Sequence, residues 1–300
     1  MPDAKKSLSQ DAARMRFSRN AMSAILSDRD FRRLSVLIRS ECGIKMPDVK
    51  KIMLEARLRK RLRSLDMKSF SEYCDYLFSP EGMDNELIPM IDLVTTNKTD
   101  FFREPRHFDF LVDTALPELI RLYGAGIRRR LRVWSAGCSS GEEPYTLAMV
   151  LSEFREKHHR FDFAIEATDI STRVLELAAE GIYKAEKTLP VPQTLKRKYI
   201  MTSKDKTRGL VRIVPELRAS VRFRRLNFME DDFGVGEMVD ILFCRNVIIY
   251  FDRPTQEILL KRLCAHLIPG GFIFMGHSET LSGLNTPLVP AGPMVYRKPL

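Results

Sequence analysis

The feature that most constrains the fold is a short stretch, 132–146, in which an apolar run passes through a turn of small residues directly into a helix start. In doubly wound sheets, such a turn lets the backbone approach a nucleotide-like ligand. Glu142 and Glu143 begin the helix with two carboxylates, which repel a pyrophosphate and attract an ammonium or sulfonium group. The loop from Gly137 to Glu143 therefore favours S-adenosylmethionine over NAD or ATP.

The sequence after Thr95 alternates short apolar runs with helical segments. This alternation predicts an α/β fold with a doubly wound, mostly parallel sheet. Residues 181–220 are rich in charge, proline and short β-like runs, and they predict an inserted small β-subdomain. Pro269-Gly270-Gly271 predicts a sharp turn before the fifth run. The predicted strands are 131–136, 161–167, 221–226, 239–244 and 272–276, with 288–296 as a last strand.

The first third of the chain is helical and basic. Apolar residues recur at three- and four-residue spacings from Phe31 to Ile91 and predict a small all-α domain. We divide the chain into this domain at 1–92, with 1–24 as a mobile tail or a loosely held first helix, and a cofactor-binding domain at 93–300. The first 65 residues contain 17 lysines and arginines against 7 acidic residues, which accounts for the net charge of +10. Such a patch implies an acidic partner: nucleic acid, an anionic membrane surface or an acidic protein.

The composition indicates where the protein is located and which kinds of site it lacks. No run reaches the roughly 18 apolar residues of a membrane span, and no apolar signal region lies near Met1. The five cysteines show no C-x-x-C spacing, and the five histidines show no metal-ligand spacing. We therefore expect a cytoplasmic protein without a metal, without membrane insertion and without a disulfide framework.

Polar residues that end apolar runs are the candidate ligand contacts, because ligands of open parallel sheets bind beyond the carboxyl ends of the strands. Asp169 is placed to accept the ribose hydroxyls, although an acid at this position also serves as a helix cap. Asn227 offers a side-chain amide to an adenine edge. Arg245 and Asn246 interrupt a buried run, where charge is costly unless it is paired or functional.

Several motifs in order resemble the chemotaxis receptor glutamate methyltransferases of the CheR type, from about Leu26 to the C-terminus. They are Asn97-x-Thr99-x-Phe-Phe-Arg103, Ser140-Gly-Glu-Glu-Pro-Tyr145, Ala167-Thr-Asp-Ile170, Cys244-Arg-Asn-Val247 with Tyr250, and Gly276-His-Ser-Glu279. The resemblance implies that residues 93–300 form a sheet of the S-adenosylmethionine-dependent methyltransferase type. It implies methyl transfer from S-adenosylmethionine to receptor glutamates, forming methyl esters and leaving S-adenosylhomocysteine. It implies cofactor contacts, in addition to the Gly137 loop, at Asn97, Thr99, Arg103, Glu143, Asp169, Asn227, Phe228, Arg245 and Asn246.

The resemblance also implies two receptor contacts. The basic helix predicted at 47–64 would dock on the acidic helical bundle of methyl-accepting chemotaxis receptors, using Lys50, Arg57, Lys60 and Arg61. The β-subdomain would hold a C-terminal peptide of the receptor. We expect a monomer that binds no nucleic acid.

The expected chemistry needs no general base, because a glutamate with a pKa of about 4.3 is already ionised near neutral pH. Positioning and water exclusion then dominate. We expect Arg103 to pair with the incoming carboxylate, and Tyr250 to line the methyl pocket or donate a hydrogen bond to the same group.

Two other functions stay open at this point. A basic helical domain on a cofactor-binding domain also suits a nucleic-acid methyltransferase. The Asn/Asp-Pro-Pro-aromatic turn typical of amine-directed base methylation is replaced here by Cys244-Arg-Asn-Val247, and aromatic residues do not alternate with the basic ones. The other alternative is a non-catalytic sensor that binds the cofactor and reports it to a partner.

Overall fold

The computed structural model describes residues 25–300, and Cα proximity divides the chain into the units Met1–Thr95 and Thr96–Leu300. The tail predicted at 1–24 lies outside the described residues. No helix within 25–300 is both long and apolar enough to cross a membrane.

The first unit is all-helical, as predicted. Helix α1 begins after Ser27, whose hydroxyl accepts the Asp30 N–H, and ends at Gly43 in the left-handed conformation. Its apolar stripe and those of the later helices meet in a core that includes Phe31, Leu58 and Tyr73. The helices are α1 (Asp28–Cys42), α2 (Lys51–Ser64), α3 (Phe70–Leu77), α4 (Pro80–Asn85) and α5 (Leu87–Val94), with a 3₁₀ turn at Asp48–Lys50 before α2.

The second unit contains a seven-stranded sheet in the order β6-β2-β1-β7-β8-β10-β9. Five strands are parallel, and β10 and β9 form an antiparallel edge. The strands of this sheet are β1 (Leu131–Ala136), β2 (Phe163–Asp169), β6 (Val221–Arg225), β7 (Val239–Cys244), β8 (Leu267–Met275), β9 (Val289–Gly292) and β10 (Val295–Arg297). The predicted doubly wound, mostly parallel sheet is confirmed.

The helices of this unit connect the strands. Ahead of β1 lie α6 (Arg106–Phe110), a π-helical turn (Leu111–Ala115) and α7 (Leu116–Tyr123). Helix α8 (Glu142–Lys157) joins β1 to β2, α9 (Thr172–Glu180) follows β2, and α12 (Arg253–Ala265) joins β7 to β8. Large side chains such as Trp134 and Phe243 are fully buried in the sheet.

The inserted β-subdomain is confirmed as a separate three-stranded antiparallel sheet, ordered β3-β5-β4. Its elements are β3 (Ile182–Lys184), a 3₁₀ turn (Ala185–Thr188), α10 (Gln193–Tyr199), β4 (Ile200–Thr202), a 3₁₀ turn (Lys206–Arg208), β5 (Leu210–Ile213) and α11 (Pro215–Ala219).

Two strand predictions were wrong in detail. Pro269-Gly270-Gly271 lies inside β8 and is no turn before it, because Gly270 donates to the Lys298 carbonyl at 2.8 Å and Gly271 accepts from the Lys298 N–H at 3.0 Å. The C-terminal segment pairs with these residues and extends the strand. The last predicted strand, 288–296, is a hairpin of β9 and β10 that turns at Met294, where φ is +56°.

The strand order places the candidate site. The chain leaves β1 toward β2 and β6 on one side, and β7 and β8 lie on the other, so β1 and β7 are neighbours at the point where the order reverses. Ligands of doubly wound sheets bind at the carboxyl ends of such strands. The Gly137 loop follows β1 and Arg245 follows β7 at this crevice.

Candidate functional site

The loop after β1 holds three residues in the left-handed conformation: Gly137 (φ +87°), Ser139 (φ +50°) and Gly141 (φ +95°). At Gly137 a Cβ atom would lie only 2.4 Å from Cγ2 of Val247, which follows β7. Only glycine allows the tips of β1 and β7 to approach this closely. The small residues identified in the sequence therefore serve a close contact between two loops of the site.

The segment 97–103 lies against this loop. The Asn97 carbonyl accepts a hydrogen bond from the Ser139 hydroxyl at 3.0 Å, and the Phe102 N–H donates to Thr146 Oγ1 at 3.2 Å. Phe102 and Glu104 have φ values of +52° and +56°, which are strained for residues with side chains. The structure thus brings Asn97 and Thr99 to the edge of the sheet where the loop lies.

Arg245 is a buried cation at the site, with 7% of its surface exposed. Its Nε donates to Glu143 Oε2 at 2.7 Å, and its Nη1 donates to the Arg103 carbonyl at 2.6 Å. The other oxygen of Glu143 accepts from the Ser135 hydroxyl at 2.7 Å. Arg245 therefore links the β7 end to both the β1–α8 connection and the segment 97–103.

Glu142 and Glu143 have different surroundings, although both are buried. Glu142 accepts a hydrogen bond from the Ser140 hydroxyl at 2.7 Å and lies 4.0 Å from the Lys187 ammonium. Burial raises the pKa of Glu142 above its usual value. Glu143, in contrast, is paired directly with the Arg245 guanidinium.

Asp169 ends β2 with 7% of its surface exposed. Its Oδ2 accepts the Ser139 N–H at 2.8 Å, and its Oδ1 accepts the Ser171 N–H at 3.0 Å. The same carboxylate thus fixes the Gly137 loop and the turn before α9. The N-terminal cap residue of α9 is Ser171, so Asp169 does not cap this helix itself.

Asn227 and Phe228 follow β6 at the same edge of the sheet. The Leu226 N–H donates to the Asp169 carbonyl at 2.9 Å, which ties the end of β6 to the end of β2. Asn227 Oδ1 accepts the Met229 N–H at 3.1 Å, and the Phe228 ring meets Phe233 edge-on at 5.8 Å.

Asn246 adopts the left-handed conformation, with φ of +61°. Its side-chain Oδ1 is buried and has no hydrogen-bond partner among the described residues. A buried acceptor without a partner is costly, and it suits a site that receives a ligand donor.

Glu279 holds the Asn246 turn in place, and no role for it follows from the sequence alone. Its carboxylate accepts the N–H groups of four residues at 2.6–2.8 Å, which are Asn246, Val247, Ile248 and Gly276. Burial raises the pKa of Glu279, and these four donors oppose that shift. An acid in the motif that follows β8 was the available signal, but three of its four donors lie more than 30 positions earlier in the chain.

Arg103 and Tyr250 occupy the outer part of this region and are both half-buried. Arg103 Nη1 donates to the Lys98 carbonyl at 3.3 Å, within the segment 97–103. Tyr250 ends the 3₁₀ turn Ile248–Tyr250 beyond β7.

A cluster of Glu104, His107 and His277 places three possible metal-ligand atoms within 4.8 Å of one another. The Arg245 guanidinium lies 3.5 Å from Glu104 Oε2 and 3.4 Å from His107 Nδ1. A fixed cation at this distance repels a metal ion and compensates the carboxylate itself. Glu104 and His107 are therefore better described as residues that surround the Arg245 guanidinium than as metal ligands.

The four predicted docking residues differ in how far their side chains are bonded to other residues of the helical unit. Arg57 Nη1 donates to the carbonyls of Leu93 and Thr95 at 3.3 and 2.9 Å, at the end of α5. Arg61 Nε donates to both oxygens of Glu86 at 2.8 and 3.0 Å. Lys60 is exposed, and Lys50 is partly exposed with its ammonium on the Lys45 carbonyl. Three of the four cations, Lys50, Arg57 and Arg61, therefore donate hydrogen bonds inside the helical unit.

Comparison with known proteins agrees with this arrangement. The family model described as "CheR methyltransferase, SAM binding domain" matches residues 97–292, and the model "CheR methyltransferase, all-alpha domain" matches residues 29–95. The chain belongs to the CheR methyltransferase family. The resemblance seen in the sequence motifs is confirmed.

Curated relatives match the CheR-family chain over nearly its whole length. A chemotaxis protein methyltransferase of Escherichia coli is 41% identical over 275 residues, which are 90% of this chain and 91% of the relative. One from Borreliella burgdorferi is 40% identical over 268 residues, or 89% of this chain and 93% of the relative. Chemotaxis protein methyltransferase 2 of Pseudomonas aeruginosa is 39% identical over 269 residues, or 89% and 92%.

The CheR-family chain is thus an S-adenosylmethionine-dependent methyltransferase. The alternatives of a nucleic-acid methyltransferase and of a non-catalytic sensor receive no support from the family match.

Proposed function

We propose that this enzyme transfers a methyl group from S-adenosylmethionine to glutamate side chains of chemotaxis receptors, in the cytoplasm. The observation that carries the proposal is the convergence of acidic and amide groups at the β1–β7 switch point, in a chain whose relatives are named chemotaxis protein methyltransferases.

The residues present fit the methyl donor. Asn246 Oδ1 is a buried acceptor without a hydrogen-bond partner among the described residues. The carboxylates of Asp169, Glu142 and Glu143 are also buried, in the loops at the same edge of the sheet. Buried acceptors and acids favour a ligand that carries hydroxyls and positive charge over one that carries phosphates. The cofactor, when bound, supplies an electrophilic methyl group on a sulfonium.

We propose the following contacts for the cofactor. Asp169 accepts the ribose hydroxyls, and Asn227 with Phe228 meets the adenine. Glu143 keeps one lone pair on each oxygen after its bonds to Ser135 and Arg245, so it can still accept from the methionine ammonium. The remaining proposed contacts are Asn97, Thr99, Arg103, Gly137, Arg245 and Asn246.

The protein's catalytic contribution in this proposal is positioning. The incoming glutamate is ionised and needs no base, so the site must hold its carboxylate in line with the methyl group and exclude water. Arg103 is proposed to pair with that carboxylate, and Tyr250 to line the methyl pocket. The half-buried position of Arg103 keeps its guanidinium accessible to a substrate side chain.

The receptor contacts are also proposals. The basic surface of α2 would dock on the acidic receptor bundle, the β-subdomain would hold a receptor C-terminal peptide, and the enzyme would act as a monomer. The exposed Lys60 is the docking residue best placed for this role, because Arg57 and Arg61 have partners within the helical unit.

Transfer of tritiated methyl groups to receptor-containing membranes tests the proposed function. Methyl esters of glutamate release methanol in alkali, whereas methylated amines do not. We expect alkali-labile label on the receptor. Label that survives alkali, or none on receptors while the protein binds S-adenosylhomocysteine, would contradict glutamate esterification.

A further inference from the structure

The inserted β-subdomain contacts the loop that follows β1. Tyr183, in β3, is buried and donates its hydroxyl to the Ser140 carbonyl at 2.7 Å. Its ring meets Phe101 edge-on, with centroids 5.1 Å apart. One side chain of the subdomain therefore contacts both the Gly137 loop and the segment 97–103.

Lys187, in the 3₁₀ turn after β3, makes a second set of contacts with these segments. Its ammonium donates to the Thr99 carbonyl and to Asp100 Oδ1, both at 3.1 Å. The same ammonium lies 4.0 Å from Glu142 Oε1. A single cation is thus shared by the segment 97–103 and the start of α8.

The charges explain why a cation is needed there. Asp100 and Glu142 are like charges that repel each other, and the Asp100 carboxylate adds to the burial that raises the pKa of Glu142. Lys187 lowers that pKa and attracts both carboxylates. Without it, the segment 97–103 would be pushed away from the loop that it covers.

We propose that the β-subdomain is a positioning part of the S-adenosylmethionine site, in which Lys187 and Tyr183 hold the segment 97–103 and the Gly137 loop together. This inference rests on the cofactor contacts proposed above. It gives the subdomain a role in cofactor binding that is separate from any receptor peptide it holds.

Calorimetry on the full chain with S-adenosylhomocysteine and S-adenosylmethionine tests the proposal. Lys187→Met keeps the length of the side chain and removes its charge. We expect both ligands to bind roughly three- to tenfold more weakly, since a charged hydrogen bond is lost from a side chain that is 44% exposed. Lys187→Arg should restore most of the affinity.

A matched control lies in the same subdomain. Lys184 is exposed, and its ammonium lies 3.8 Å from Glu186, a residue of the same subdomain, so Lys184→Met should leave both affinities unchanged. Tyr183→Phe removes only the hydroxyl and should weaken both ligands roughly two- to fivefold.

Using both ligands separates positioning from simple charge. Positioning predicts equal losses for the sulfonium and for the neutral product. If Lys187→Met tightens S-adenosylmethionine relative to S-adenosylhomocysteine, the lysine acts only through its charge and the proposal is overturned. Unchanged affinities for Lys187→Met and Tyr183→Phe would overturn it as well.

Failure of the proposed function would look different. A wild-type protein that binds S-adenosylhomocysteine in a Lys187-dependent manner, but does not esterify receptors, would refute the substrate and leave the role of the subdomain intact.

Discussion

Single residues of this site are held by partners far away in the sequence. Arg245 was identifiable as a charge inside an apolar run, but its pairing with Glu143 spans 102 positions. The same is true of Asp169, whose partner Ser139 precedes it by 30 positions. Pattern and residue type thus indicate which side chains matter, whereas the contacts that orient them depend on how the strands are ordered.

Backbone strain is concentrated at the same place. Among residues 25–300, six non-glycine residues have positive φ, and four of them lie in the segments of the candidate site: Phe102, Glu104, Ser139 and Asn246. Strained conformations persist where surrounding contacts impose them, as Glu279 does at Asn246. Residue type favours this conformation at Asn246, because asparagine tolerates it better than most side chains, but it gives no such signal at Phe102, Glu104 or Ser139.

Arg103→Ala tests the catalytic role of the guanidinium. We expect kcat for receptor methylation to fall roughly 100-fold or more, with the Kd for S-adenosylhomocysteine changed by less than about fivefold, because a charge-assisted pair with the substrate is lost. Single-turnover kinetics and calorimetry measure the two quantities. Equal losses in both would mean that Arg103 acts through the cofactor alone and would remove it from the substrate role.

His107 predicts a pH dependence of stability. Burial, followed by the nearby Arg245 charge, lowers its pKa from 6.5 to about 4. Between these values the unfolded chain binds a proton that the folded chain does not, so stability is lost as the pH falls from about 6.5 towards 4. The melting temperature should decrease less between pH 7 and pH 5 for His107→Gln than for wild type.

The exposed His159 provides the control, since His159→Gln should retain the wild-type slope. A His107→Gln protein with that same slope would show that the imidazole does not stay neutral in the fold.

At the level of elements, helix α2 combines a structural and a surface role. The sequence predicts a basic helix from its composition, but it cannot distinguish cations that bind carbonyls or Glu86 from those that face solvent. This distinction requires the position of α5 and of Glu86, which precedes it. Charge reversal at Arg57 or Arg61 would therefore disturb the helical unit along with any docking.

Docking is better tested with Lys60→Glu combined with Arg63→Glu, because both side chains are exposed. We expect the KM for the receptor to rise roughly three- to tenfold at low ionic strength and to return towards wild type in high salt. Cofactor affinity should not change. Lys261→Glu, an exposed reversal on α12, is the control; equal effects from both would indicate net charge in place of a docking surface.

Arg61→Ala predicts a loss of stability. Glu86 is 1% exposed, and its remaining partner is the Tyr73 hydroxyl at 2.9 Å. Removal of Arg61 leaves a buried carboxylate without its cation, which should cost about 2 to 4 kcal/mol in the unfolding free energy. Urea unfolding measures this cost. Arg63→Ala, two residues further along α2 and exposed, should stay within about 0.5 kcal/mol of wild type.

Strand prediction succeeded where apolar runs had clear ends and was less accurate at the C-terminal edge. The bounds of β1 and β7 agree with the predicted 131–136 and 239–244. Pro269-Gly270-Gly271 has the composition of a turn, yet long-range pairing with Lys298 keeps it in β8. Local preference was overridden there by a contact that local patterns do not contain.

For the whole molecule, alternation of strands and helices was sufficient to predict the fold class, and the charged, proline-rich stretch 181–220 predicted the inserted subdomain. The adjacency of β1 and β7 was not readable in the same way, since it follows from the order of strands in the finished sheet. The chemistry of the site depends on that adjacency, because it joins the Gly137 loop to Arg245 and Asn246.

The contact between Gly137 and Val247 has a practical consequence for enzyme engineering. Because a Cβ atom at residue 137 would lie only 2.4 Å from Val247 Cγ2, no side chain fits at this position. A variant intended to accept a donor with a bulkier alkyl group would need substitutions at other residues of the site. Any side chain at position 137 would push apart the loops that follow β1 and β7.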